Sequence, residues 1–150
     1  LVAAGIIIGA GTAGATVYAY CATIDGLQET PPVATPASGS GTFTIDTDAN
    51  TVSYNITYGG LIGTETAAHI HGYCGPGVPC GVVHPLPPGS PKIGVWDYAE
   101  ADEASILAGL TYVNIHTDFR PGGEIRGQII ECPVTPTDEA SWGRVKTLFR

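Results

Sequence analysis

The chain has no methionine, and lysine and arginine together number only six in 150 residues. Fourteen aspartates and glutamates set the net charge at −8. A nucleic-acid binder needs a basic stripe to neutralise phosphates, so that class of function is excluded. Three of the six basic residues, Arg144, Lys146 and Arg150, lie in the last ten positions, leaving the first 140 with three cations against fourteen acids. Also missing are a CxxC pair, a CxxCH haem attachment, a phosphate-binding glycine loop and a Ser-His-Asp order. Without such motifs the sequence reads as non-enzymatic. Charged residues are scarce at 13% against 43% hydrophobic, which excludes a disordered chain and a coiled coil. With the initiator methionine missing too, a processed product is expected.

Turn residues are plentiful: 21 glycines and 12 prolines, dispersed along the chain. Many turns between short elements favour an all-β fold. Runs that alternate apolar and polar residues predict strands over 16–24, 41–46, 51–58, 66–72, 92–98, 112–117 and 124–131. The turn Asp46-Thr-Asp-Ala-Asn50 joins the second and third as a hairpin. Residues 101–109 form the one helical stretch inside the domain, closed by Gly109. Residues 74–91 read as a long Pro/Gly loop. Seven strands at this spacing predict a Greek-key β-sandwich over residues 16–132, with an apolar extension at 1–15 and a linker and amphipathic helix at 133–150. Asn55-Ile-Thr57 fits an N-glycosylation acceptor.

Four cysteines are an even number. Cys74-Gly-Pro-Gly-Val-Pro-Cys80 has the length and turn residues to close on itself, and Cys21 and Cys132 lie where the first and last strands could be stapled. Two disulfides imply an oxidising, extracellular setting.

Five stretches, taken in order, resemble the CHRD family, named after chordin: Asp25-Gly-Leu-Gln-Glu-Thr-Pro-Pro-Val33, Gly39-Ser-Gly-Thr-Phe43, Ala67-Ala-His-Ile-His-Gly72, Tyr112-Val-Asn-Ile-His-Thr117 and Gly122-Gly-Glu-Ile-Arg-Gly-Gln128. The resemblance covers about residues 16–131 and implies a secreted β-sandwich without a settled catalytic activity. The 74–80 loop, the extension 1–15 and the tail 138–150 fall outside the core pattern.

The histidines carry the chemistry. His69 and His71, two apart on a strand, project from one face, and His116 has the same setting beside Asn114. If the two strands approach, three imidazoles can converge on copper or zinc, ions suited to nitrogen donors. The alternative is a hydrogen-bonded polar cluster with Asn114, Glu124 and Arg126. Glu124 and Arg126, also two apart, can pair with each other or across the sheet. A His-x-His strand in such a sandwich is similar to copper–zinc superoxide dismutase, but four histidines are too few for its dinuclear site. His84, in the Pro-rich loop, is expected to be exposed.

Residues 1–15 hold Ile6, Ile7 and Ile8 and resemble the apolar part of a signal peptide, yet are too short and glycine-rich to span a membrane as a helix. Added to a neighbour's sheet edge, such a segment would link copies of the chain into a homopolymer or filament. Trp142 and Phe149 in the tail offer further apolar anchors. The membrane enters only if residues 1–15 are an anchor or a signal remnant. The alternatives to self-assembly are a monomeric extracellular module for a metal or protein ligand and a mononuclear metal redox enzyme.

Overall fold

The computed structural model describes residues 16–133; the expected assembly residues Ile6, Ile7, Ile8, Trp142 and Phe149 lie outside that range. Eight strands form: β1 Val17–Asp25, β2 Ser38–Asp46, β3 Thr51–Gly59, β4 Glu65–Gly72, β5 Val82–Pro85, β6 Lys92–Asp97, β7 Thr111–Thr117 and β8 Ile125–Glu131. A five-residue helix, α1 Glu103–Leu107, follows a 3-10 turn, and Gly109 at φ 70° ends that excursion. The sheet order is β5-β4-β7-β8-β1-β2-β3-β6, with every neighbouring pair antiparallel.

The described residues are all-β, as expected, but with eight strands. The additional one, β5, lies inside the expected long loop. It is four residues long and ends at Pro85, too short for a run of alternation to register. One sheet carries all eight strands, in two four-stranded halves joined where β1 meets β8. That seam pairs at Tyr20–Glu131, Cys21–Ile130 and Asp25–Arg126, with a break between. The sheet curls so far that its end strands meet across the core. The His84 ring of β5 stacks on Trp96 of β6 at 5.7 Å and meets Tyr54 of β3 edge-on at 5.7 Å. His84 is thus half-buried against the core, a correction to its expected exposure.

Strict alternation fills the interior. Ile24, Ile45, Ile56, Ile70, Val113, Ile115 and Ile125 are fully enclosed, with Phe43 and Trp96 beside them. Each such aliphatic side chain contributes about 1.5–3 kcal/mol by leaving water. The opposite parity of β2 and β3 points Thr42, Thr44, Ser53, Asn55 and Thr57 outward into solvent. On β4, β7 and β8 the outward residues are of another kind.

Candidate metal centre

Register places the outward residues of these three strands in rows. Ala67 faces His116; His69 faces Asn114, which faces Arg126; His71 faces Tyr112, which faces Gln128. The core takes Ala68, Ile70, Val113 and Ile115 from the intervening positions, so alternation drives the three histidines to the other side of the sheet. Their ring centroids lie 5.1, 5.6 and 5.7 Å apart. One nitrogen from each ring lies within 4.8 Å of the other two. A metal held at about 2.0–2.1 Å would need nitrogens about 3.3–3.6 Å apart, so no edge of the triangle would have to close by more than about 1.5 Å.

The hydrogen bonds decide which nitrogens are free. A carbonyl only accepts, so His71 Nδ1–H donates to Cys80 O at 2.8 Å and His116 Nδ1–H donates to Pro121 O at 2.9 Å. In the neutral rings this leaves each Nε2 with a lone pair. Both Nε2 atoms are buried and unpartnered, and so is Nδ1 of His69. Three orphaned ring nitrogens in one place, two of them oriented through the far side of the ring by a carbonyl, match the donor set and outer shell of a nitrogen-bound metal. A self-satisfied polar cluster would have used them.

Burial holds His69 below the usual histidine value, and the His116 charge adds to it. Burial does the same for His71, against the pull of the Cys80 carbonyl and with help from His116, His69 and Arg126. Neutral imidazoles are the form that ligates.

Loops cover this face, so His71, Tyr112, Asn114, Arg126 and Gln128 are buried although they point outward. Tyr112 stacks on His71 at 5.0 Å with the planes 7° apart. The Arg126 guanidinium lies over the same Tyr112 ring, 3.5 Å from its centroid. Beside them Glu29 reaches in from the loop after β1. Burial raises its carboxyl to about 7, with Arg126 pulling the other way. Its Oε1 and Asn114 Oδ1 are both buried without partners. Both lie against Gly123, at φ 132°, where a Cβ would strike the two together.

The expected cluster with Glu124 does not form. Glu124 lies inside, where it accepts from the Ile62 and Gly63 N–H groups and from the Thr35 and Thr117 hydroxyls. Burial opposes its charge, but these four donors outweigh that and hold its carboxyl below the usual range. Arg126 donates instead to Val78 O at 3.1 Å and to the Gln128 side chain at 3.5 Å, so it does not pair with Glu124. Cys74 pairs with Cys80 and Cys21 with Cys132, at Cα separations of 6.2 and 5.0 Å. Sequence reasoning missed Tyr112 and Glu29. Tyr112 shares the parity of Asn114 and His116, so alternation alone could have found it; nothing local marks Glu29.

No curated protein and no solved structure matches the chain closely enough to count as similar. The family models do find it. The strands that carry the three histidines, the cystine loop against them and most of the core lie within residues 20–129, the stretch matched by the model described as CHRD domain, and the chain therefore belongs to the CHRD family.

Proposed function

We propose that this chain is a secreted, extracellular CHRD module whose outer face binds one transition-metal ion, copper or zinc, through His69, His71 and His116. The observation that carries the reading is the set of three buried, unpartnered ring nitrogens, two of them on rings held by backbone carbonyls. Three neutral imidazoles leave a coordination position for water or an exogenous ligand. The two disulfides suit an oxidising compartment. Titration of the metal-free protein with Zn²⁺ or Cu²⁺ by calorimetry tests the proposal. One ion per chain is expected, and its loss in His69→Ala, His71→Ala or His116→Ala. Tight binding that survives all three substitutions would refute this site.

A second reading, self-assembly, is favoured by the open edge of β6. That strand pairs with β3 on one side, and among the described residues nothing pairs with the other. Its Ile93 and Val95 are 66% and 55% exposed. An unguarded apolar edge strand is a template for strand addition. Residues 1–15 of another copy are the proposed donor. Light scattering of the full chain against a variant lacking residues 1–15 tests this: polymers from the first and monomers from the second are expected. Equal behaviour of the two rejects it.

A further inference from the structure

The Cys74–Cys80 loop lies beside His71 and contains none of the proposed ligands, yet its atoms contact that residue's surroundings at several points. The Cys80 carbonyl accepts from His71 Nδ1–H at 2.8 Å. The N–H of the same residue donates to the Tyr112 hydroxyl at 3.0 Å, and that hydroxyl in turn lies 3.5 Å from the Cys80 carbonyl. Tyr112 is also the ring stacked on His71. One residue of the loop thus holds the ligand by its far nitrogen and also holds the ring that lies against it.

The loop itself is pinned along its length. Cys74 N–H donates to Leu110 O at 2.7 Å, and Gln128 Nε2 donates to Cys74 O at 3.1 Å. Arg126 donates to Val78 O at 3.1 Å and Thr30 Oγ1 donates to Gly77 O at 3.2 Å. Just outside the ring, Gly72 N–H donates to Gly81 O at 3.0 Å. The enclosed residues are Gly-Pro-Gly-Val-Pro, a sequence with much backbone freedom at its glycines and no regular structure of its own. Closing it covalently removes most of that freedom and leaves the Cys80 peptide in one place.

We infer that the cystine loop is the positioning element of the metal centre: by fixing the Cys80 peptide, it holds His71 in the tautomer and ring orientation that present Nε2 to the ion. This rests on the metal reading above. An outer-shell partner that selects the tautomer typically governs affinity 10- to 100-fold. Opening the loop should therefore weaken binding by about that factor while all three ligands remain in place.

The test uses the full chain, Zn²⁺ as probe, and the double variant Cys74→Ser/Cys80→Ser. Zinc affinity is measured by competition with a chromophoric chelator, and the His71 tautomer is read by ¹⁵N NMR of the metal-free protein. The inference expects a single Nδ1–H tautomer in the native chain. In the variant it expects a mixture of tautomers, and zinc affinity lower by about 10- to 100-fold. A merely structural disulfide would lower the melting temperature without moving the tautomer of a folded chain. Should the double variant fail to fold, Tyr112→Phe keeps the disulfide and removes only the hydroxyl that holds Cys80. By the worth of one hydrogen bond it should weaken zinc by about 3- to 10-fold in the same direction. A folded variant with native tautomer and native affinity overturns the inference and leaves the metal reading standing. A native chain that takes up no metal overturns both.

Discussion

Lys92 and the histidines at 69, 71 and 116 are all polar groups drawn away from water, but their surroundings differ in kind. Lys92 is fully enclosed at the start of β6. Its ammonium meets the Glu65 carboxylate, the Pro87 carbonyl at 2.6 Å and the face of Tyr58. The other Glu65 oxygen accepts from the Tyr58 hydroxyl and from the Gly89 N–H. None of the buried polar atoms in this group lacks a partner. At the histidine face three ring nitrogens lack one, and so do Glu29 and Asn114. A folded chain can bury charge if it closes every bond, and the Lys92 cluster shows that this one does so. The open valences on the other face are thus not a general looseness of the fold. They are the observation on which the proposed metal site rests.

If that contrast is right, breaking the closed cluster should cost the most stability. Lys92→Met leaves Glu65 without its cation and should destabilise the chain by about 3–5 kcal/mol, measured by urea unfolding. Zinc affinity should stay native. A loss of affinity in the folded variant would show that the two clusters are coupled.

Next in size is an effect of pH. Glu29 titrates near 4.5 when unfolded and near 7 when folded. Its protonated form is the one the fold prefers, so its contribution is complete below about pH 4.5 and is lost as pH rises through about 7. The span is worth about 3 kcal/mol. Glu65 and Glu124 behave in the opposite sense. Both are held below the usual value, despite burial, by their donors, with Lys92 foremost for Glu65. Their contribution is present above pH 4.5 and disappears as pH falls through their lowered folded values. Glu29→Gln should flatten the alkaline limb alone. Urea midpoints from pH 4.5 to 8, compared between native and variant, isolate the contribution of Glu29. Parallel curves for the two proteins would contradict this account of Glu29.

The smallest change in stability should come from the most consequential residue for binding. His71→Ala in the metal-free chain should cost about 1–2 kcal/mol, from the Nδ1–H bond to Cys80 O and the stacking on Tyr112, since Nε2 has no partner to lose. Saturating zinc should raise the melting temperature of the native chain and not of the variant. A rise of equal size in both would place the ion elsewhere.

Much of this architecture can be read from residue order, and the limits are physical. Alternation in Ala67-Ala-His-Ile-His and Tyr112-Val-Asn-Ile-His determines which side chains face outward, because apolar residues claim every second place. Whether two outward rows become neighbours depends on sheet order, and β4 lies beside β7 only after the chain has crossed between halves of the sheet. Composition says nothing of that crossing. Glu124 illustrates the same limit. Its two-residue spacing from Arg126 suggested a shared face, but it precedes β8 and the inward loop at Ile62 and Gly63 captured it. β5 escaped notice because four residues ending in proline carry too little pattern, and His84 was misplaced along with it.

The joint between first and last strands has a mechanical meaning. Cys21 of β1 is bonded to Cys132, just past the end of β8, and the Cys132 N–H also donates to Ala19 O at 3.0 Å. The described chain therefore enters and leaves at one place, through a covalent bridge. Tension applied from the two ends would peel only the few residues before Cys21 and then pass through sulfur into the other arm. The 110 residues between the cysteines, with the core and the histidine face, would bear none of that load. A module wired in this way can sit in a stretched string of proteins as a link that transmits force while its own contents stay folded.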